Sequence, residues 1–148
     1  MEKVLLQILK ADPRIALPKY ESGGASGMDL RAFLNAGISI PPLGRAKIPT
    51  GLKMEIPKGY EAQVRPRSGL AINEGITVLN SPGTIDCDYR GDIEVILINL
   101  SDKNVTIEDG QRIAQLVIAP VTQAQIEEVK TLSSSSRGES GFGSTGVR

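Results

Sequence analysis

The carboxylates and arginines of this chain fall in short clusters among glycines, and chemistry is most readily placed there. The densest is Pro82-Gly83-Thr84-Ile85-Asp86-Cys87-Asp88-Tyr89-Arg90-Gly91-Asp92. In an extended conformation Asp86, Asp88 and Arg90 share one face, and Ile85, Cys87 and Tyr89 share the other. The polar face is either a solvated strand surface with internal charge pairing, or a carboxylate that activates water or sits near a metal. In Pro66-Arg67-Ser68-Gly69-Leu70-Ala71, Ser68 is expected to cap a short helix over 69–74. The amides of that helix start, with Arg67 as a two-pronged donor, suit an anion; a plain cap beside a surface arginine is the alternative. In Gly27-Met28-Asp29-Leu30-Arg31-Ala32, Asp29 is set between apolar residues of an expected strand, facing either solvent or a site. In Gly110-Gln111-Arg112-Ile113-Ala114-Gln115-Leu116, Gln115 interrupts an apolar strand, so it faces water or bonds a neighbour or a ligand.

The C-terminal segment is a fifth candidate. Gly138, Gly143, Ser144 and Thr145 have the spacing of a phosphate loop, but Ser144 stands where the lysine belongs and no helix can open in the three residues after Thr145, so a P-loop is excluded. The run Ser133-Ser134-Ser135-Ser136 is a flexible polar linker by composition, and residues 137–146 beyond it are too rich in Gly and Ser to fold by themselves. Either this is a disordered tail, or Arg137, Phe142 and the glycine-flanked amides form a ligand clamp.

What could position these clusters is bounded by composition. The chain has 148 residues, 17 Lys+Arg against 17 Asp+Glu, 16 Gly and 9 Pro, which suits one turn-rich domain with no basic footprint for duplex nucleic acid. There is no histidine, so a Ser-His-Asp triad, a Cys-His dyad and a His-ligated metal are excluded, and a general base must be Asp, Glu, Lys, Tyr or an activated water. The single Cys87 cannot form an internal disulfide, and the N-terminus does not read as a signal peptide. No apolar run approaches the roughly 18 residues of a membrane span. A cytoplasmic protein without a membrane partner is expected.

The remaining pattern is a succession of short strands: 4–9, 28–33, 37–40, 44–48, 52–56, 60–64, 76–79, 93–100, 105–107, 112–121 and 126–129. Turn signals recur roughly every eight to twelve residues, as in a sandwich, jelly roll or barrel. The only helical segment is the one after Ser68.

Taken in order, the five clusters resemble the five motifs of the homotrimeric dUTP diphosphatase (dUTPase) family, and the resemblance spans nearly the whole chain. It implies an all-β fold, a distorted, β-clip-like jelly roll with one short helix, over 1–132, and a flexible C-terminal arm over 133–148 that closes on the active site. It implies a homotrimer with active sites shared between chains. The implied reaction is hydrolysis of dUTP to dUMP and pyrophosphate with Mg²⁺, which removes dUTP and supplies dUMP for thymidylate synthesis. Water attacks the α-phosphorus with Asp86 as general base, and Asp29 contacts waters of a Mg²⁺ ion held mainly by the substrate's phosphates. Arg67, Ser68 and Gly69 hold phosphate oxygens, and Gln115 is a phosphate-side or water-positioning contact. Arg137, Gly143, Ser144 and Thr145 close over the outer phosphates, and Phe142 stacks on the uracil. A β-hairpin from Asn80 to about Tyr89 reads the base, with Asn80, Thr84 and Ile85 near base or sugar and Tyr89 beneath the deoxyribose. Asn73-Glu74 departs from the Lys-His frequent in the family before Gly-Ile. A dCTP deaminase on the same fold and a non-catalytic nucleotide-binding trimer are the competing readings; the first wants a glutamate that the 81–92 segment lacks.

Overall fold

A computed structural model describes residues 1–148. In chain order the elements are β1 (Gln7–Lys10), β2 (Gly27–Arg31), β3 (Ile38–Ile40), β4 (Arg45–Glu55), β5 (Tyr60–Arg65), α1 (Ser68–Glu74), β6 (Ile76–Val78), β7 (Gly83–Ile85), β8 (Ile93–Asn99), β9 (Val105–Ile107) and β10 (Arg112–Pro120). Two antiparallel four-stranded sheets, β1-β4-β8-β6 and β2-β10-β5-β7, make the body, and β3 pairs with β9 as a separate ribbon. This is the jelly-roll-like all-β architecture expected from the sequence.

Alternation builds the core. Along β8, Ile93, Val95, Leu97 and Asn99 are buried while Glu94, Ile96 and Ile98 between them are only partly so. Ile48, Leu52 and Met54 of β4, and Leu30, Ala62, Val64, Ile113 and Leu116 of the other sheet, belong to the same hydrophobic cluster. Full burial of each large aliphatic side chain contributes about 1.5–3 kcal/mol. The one wholly buried amide, Asn99, is satisfied on every side: Nδ2 donates to the carbonyls of Ile40 (2.8 Å) and Lys103 (2.7 Å), and Oδ1 accepts from the Ser101 amide (2.9 Å) and hydroxyl (2.7 Å).

Several boundaries differ from the sequence reading. The expected strands 44–48 and 52–56 are one eleven-residue strand, β4, with a register irregularity between Pro49 and Leu52. Pro49, which has no N–H to give a ladder, is tolerated at that irregularity, and Gly51 completes it at φ +70. The N-terminal strand is observed as β1, where the chain pairs with β4 from Gln7 to Lys10. No strand forms at 126–129: residues 121–140 are exposed throughout, and an extended segment with no neighbouring edge has nothing to pair with.

Candidate active site

Three of the clusters converge where β2, β10 and the entry to α1 meet. Asp29 of β2 lies opposite Gln115 of β10, and Gln115 in turn lies opposite Arg65 at the end of β5. Arg67 follows in an extended conformation (φ −100, ψ 131) at the cap position of α1. Ser68 is thus the first helical residue, not the cap, and the helix start carries no side-chain cap bond. The Asp29 carboxylate divides its oxygens between two arginines. Oδ1 receives Arg67 Nε at 3.0 Å, and Oδ2 receives Arg112 Nη1 at 3.4 Å. Gln115 donates from Nε2 to the carbonyl of Pro66 at 3.0 Å, so in this structure its partner is the turn that presents Arg67. Gly27 leaves room for that amide, because a Cβ there would lie 2.6 Å from Gln115 Oε1. Ser68 and Gly69 are exposed, while Leu70 is buried and anchors the helix.

Arg112 was not singled out from the sequence, and a β-bulge explains its place. The register on β2 runs Gln115 opposite Asp29, Ala114 opposite Leu30, and then Arg112, not Ile113, opposite Arg31. Cross-strand partners share a face, so the extra residue carries Arg112 onto the face of Asp29 and Gln115 and leaves Ile113 and Ala114 both buried.

The other clusters lie elsewhere. β7 pairs with β5 alone, and β6 belongs to the opposite sheet, so 80–89 is not a two-stranded hairpin but a crossover, containing the cis Ser81–Pro82 bond, that leads into a single strand. Asn80 is exposed in that crossover. After Ile85 the chain does not stay extended. The Tyr89 amide bonds the Asp86 carbonyl at 3.1 Å, closing a turn, so Asp86, Asp88 and Arg90 do not share a strand face. Thr84, Ile85, Asp86 and Tyr89 instead line a cavity of about 260 Å³ with Lys47, Asp92 and Ile93. Asp86 and Thr84 are exposed, whereas the Ile85 side chain is largely in the core at 8% exposure. Tyr89 Oη donates to the Asp92 carbonyl at 2.9 Å, and the ring lies so close to Gly91 that a Cβ there would meet its Cζ at 2.5 Å. Arg90 turns away to the Cys87 carbonyl and to Glu55 (Nη2 to Oε1 3.1 Å).

Within one chain these two groups stay apart. Ile85 pairs with Ala62, which sets Asp86 level with Glu61 at one end of β5, while Arg67 follows the other end. At about 3.3 Å per residue the separation is on the order of 15–20 Å. The arm is exposed and its side-chain bond is local. Phe142 is fully exposed at φ +51, Gly143 has nothing within 4 Å of where a Cβ would stand, and Arg137 Nε bonds only the nearby Ser140 carbonyl at 2.7 Å. Ser144 and Thr145 are exposed in the same turns.

No group of three or more Asp, Glu, Cys or His forms a metal cage. A larger cavity of about 530 Å³ borders Asp29 but is lined otherwise by Arg14 to Lys19, Arg31, Phe33 and Asp109. The perturbed ionisations belong to that side and to the N-terminus. Hydrogen bonds from Arg14 hold the Asp12 carboxyl below its ordinary range, and a hydrogen bond to Glu2 raises the Tyr60 phenol. No helix is long and apolar enough to cross a membrane.

Comparison with known proteins matches this chain to a family. The family model described as dUTPase matches residues 13–146. A deoxyuridine 5'-triphosphate nucleotidohydrolase of Rhizobium etli is 58% identical over 135 residues, covering 90% of this chain and 86% of its own. One from Hydrogenobaculum sp. is 56% identical over 146 residues, 99% of each chain. Among solved structures, a mutant dUTPase of Staphylococcus bacteriophage 80alpha with dUpNHpp superposes with a TM-score of 0.87 at 26% identity, over 98% of this chain and 100% of that one. With a matched model over nearly its full length and relatives above half identity, the chain belongs to the dUTPase family.

Proposed function

We propose that this chain hydrolyses dUTP to dUMP and pyrophosphate, with Asp86 as general base, in sites assembled from more than one copy. The observation that carries the reading is the cavity under Tyr89, which gathers Asp86, Thr84 and Ile85 beside a group able to hold a sugar. Little covalent chemistry is asked of the protein in such a hydrolysis, so positioning and charge neutralisation dominate. Asp86 takes the proton of the attacking water. Its exposure in an open turn leaves both oxygens free to do so, and a chain with no histidine relies on a carboxylate here. The base is held by the 80–85 backbone, where uracil's N3–H donor and O4 acceptor can be matched and cytosine's reversed pattern is left unpaired. Tyr89 packs beneath the deoxyribose and crowds a 2'-hydroxyl.

The phosphates fall to Arg67, Ser68 and Gly69, with Gln115 holding the Pro66 turn behind them. Bound Mg²⁺ supplies neutralisation of the phosphate charge. The donor set fits an ion carried by substrate and water: no protein cage exists, and Asp29, whose oxygens have lone pairs left beside the two arginines, is the carboxylate available to its waters.

Asp86 and Arg67 at opposite ends of β5 do not serve one phosphorus from a single chain. A homotrimer that sets the Asp86 turn of one copy against the Arg67 turn of another solves this, with the arm of a copy supplying Arg137, Phe142, Gly143, Ser144 and Thr145. The exposed Ile126, Leu132 and Phe142 suit an arm whose partner is another chain. The single free thiol of Cys87 fits the reducing cytoplasm.

Pyrophosphate release from dUTP, dTTP, dCTP and UTP, each with Mg²⁺ and with chelator, tests the reading. Mg²⁺-dependent release confined to dUTP is expected. Asp86→Asn is expected to lose on the order of 10²–10⁴ in kcat while keeping dUpNHpp affinity; wild-type turnover by that variant rules out the base assignment.

A further inference from the structure

Asp29, Arg67 and Arg112 form a three-charge cluster in which one carboxylate holds two guanidiniums on separate oxygens. All three are partly shielded, with side-chain exposures of 19%, 31% and 40%. The cluster carries one surplus positive charge, and Arg67 is the member at the mouth of α1. We infer that Arg112 is a positioning residue for phosphate binding: it anchors Asp29 so that Arg67 can exchange the carboxylate for a phosphate oxygen. This rests on the phosphate role given above to Arg67.

The two arginines differ in how they are held. Arg112 opens β10 opposite Arg31 of β2, and the bulge beside it turns its side chain onto the face of Asp29. Arg67 sits in an extended linker between β5 and α1, and its side chain is held by Asp29 and, at 3.5 Å from Nη1, by the Arg112 carbonyl, contacts that an incoming phosphate can replace. A carboxylate facing a single arginine draws it into a two-pronged, neutral pair. An incoming phosphate then has to break that pair and leaves Asp29 without a cation. With Arg112 on Oδ2, Asp29 keeps a partner after Arg67 departs, and the empty site retains positive charge toward the phosphates. Arg31, directly opposite Arg112, does not compete for Asp29, because its Nη1 donates to the Gly110 carbonyl at 2.9 Å.

The test is calorimetric binding of dUpNHpp and of deoxyuridine to the full-length protein in chelator. Deoxyuridine lacks phosphates and reports the base and sugar contacts alone. Arg112→Gln is expected to weaken dUpNHpp about tenfold, within the usual range for coupled charges, and to leave deoxyuridine unchanged. Arg112→Lys, which keeps the charge but not the fork, recovers part of the loss. In an Asp29→Asn background Arg112→Gln has no further effect, because its route is through that carboxylate. The inference is overturned by unchanged dUpNHpp affinity in Arg112→Gln, by equal weakening of both ligands, which marks a general structural defect, or by an undiminished effect in Asp29→Asn. A wild-type protein that binds dUpNHpp no better than deoxyuridine refutes the role of Arg67 itself, separately from Arg112.

Discussion

Sugar selectivity can be attacked without touching Tyr89, through the glycine that lets its ring lie down. An alanine at Gly91 would place Cβ 2.5 Å from Tyr89 Cζ and 2.9 Å from Cε1, with the hydroxyl closer still. Ordinary contact begins near 3.4 Å, so the ring must move by about 1 Å, and its bond to the Asp92 carbonyl is lost. Tyr89 is 45% exposed, so it can move, and the stability cost stays near the ~1 kcal/mol of one hydrogen bond. The functional cost is larger, because a misplacement of about 1 Å at a positioning group is worth on the order of 10²-fold. Gly91→Ala is therefore expected to lower the ratio of kcat/KM for dUTP over UTP by about 10- to 100-fold, mainly by losing efficiency on dUTP and admitting UTP. Tyr89→Phe separates the two effects: it drops the bond to Asp92 but keeps the ring, and should change the ratio by less than Gly91→Ala. Steady-state pyrophosphate release on both nucleotides reads it out. A Gly91→Ala enzyme with wild-type discrimination would refute the placement of Tyr89 against the sugar.

Two further outcomes are expected from the fold. Truncation before Arg137 should lower kcat/KM for dUTP by on the order of 10² while leaving the melting temperature and the oligomer mass unchanged, because the arm's side chains are exposed and Arg137 bonds only within the arm; sedimentation and thermal melts check the second half. Asn99→Ala takes the side-chain partner from the Ile40 carbonyl and the Ser101 amide, while the Lys103 carbonyl keeps the Ser101 hydroxyl, and should cost about 2–4 kcal/mol in urea unfolding.

The parts of the site most legible in the sequence were those encoded locally. The run of Ile, Val and Leu over 93–100 announced β8, and the five glycine-bounded clusters announced where polar chemistry would gather. What escaped was set by events one residue wide. Counting back by twos from Gln115 puts Ile113 on the wet face and Arg112 in the core; the bulge reverses both, and its only trace in the sequence is the adjacent apolar pair Ile113-Ala114. Ser68 read as a cap because its type is right, yet the backbone is already helical there and Arg67 holds the extended cap position. The alternating residue types of 85–90 offered Asp86, Asp88 and Arg90 a common face if the segment stayed extended. A turn bond from Tyr89 to Asp86, with Gly91 permitting the ring's approach, decided otherwise. The 126–129 strand failed for a different reason: its apolar residues are real, but they meet no strand edge of this chain.

That last failure and the span of β5 point the same way. A strand is a rigid ruler, and this one separates the carboxylate proposed to activate water from the arginine proposed to hold phosphate by more than two groups acting on one phosphorus can tolerate. Side-chain motion cannot close it, because Asp86 is tied into a turn and Arg67 into a helix start anchored by Leu70. The economical solution is to let symmetry bring the two ends together, since one interface repeated around an axis sets each copy's Asp86 turn against a neighbour's Arg67 turn with no new element. An isolated subunit should then keep its fold, whose core lies wholly within one chain, and retain weak deoxyuridine binding under Tyr89, yet show no turnover. Dilution experiments in which activity vanishes with dissociation while the melting of the β body persists would fit this arrangement, and a fully active monomer would contradict it.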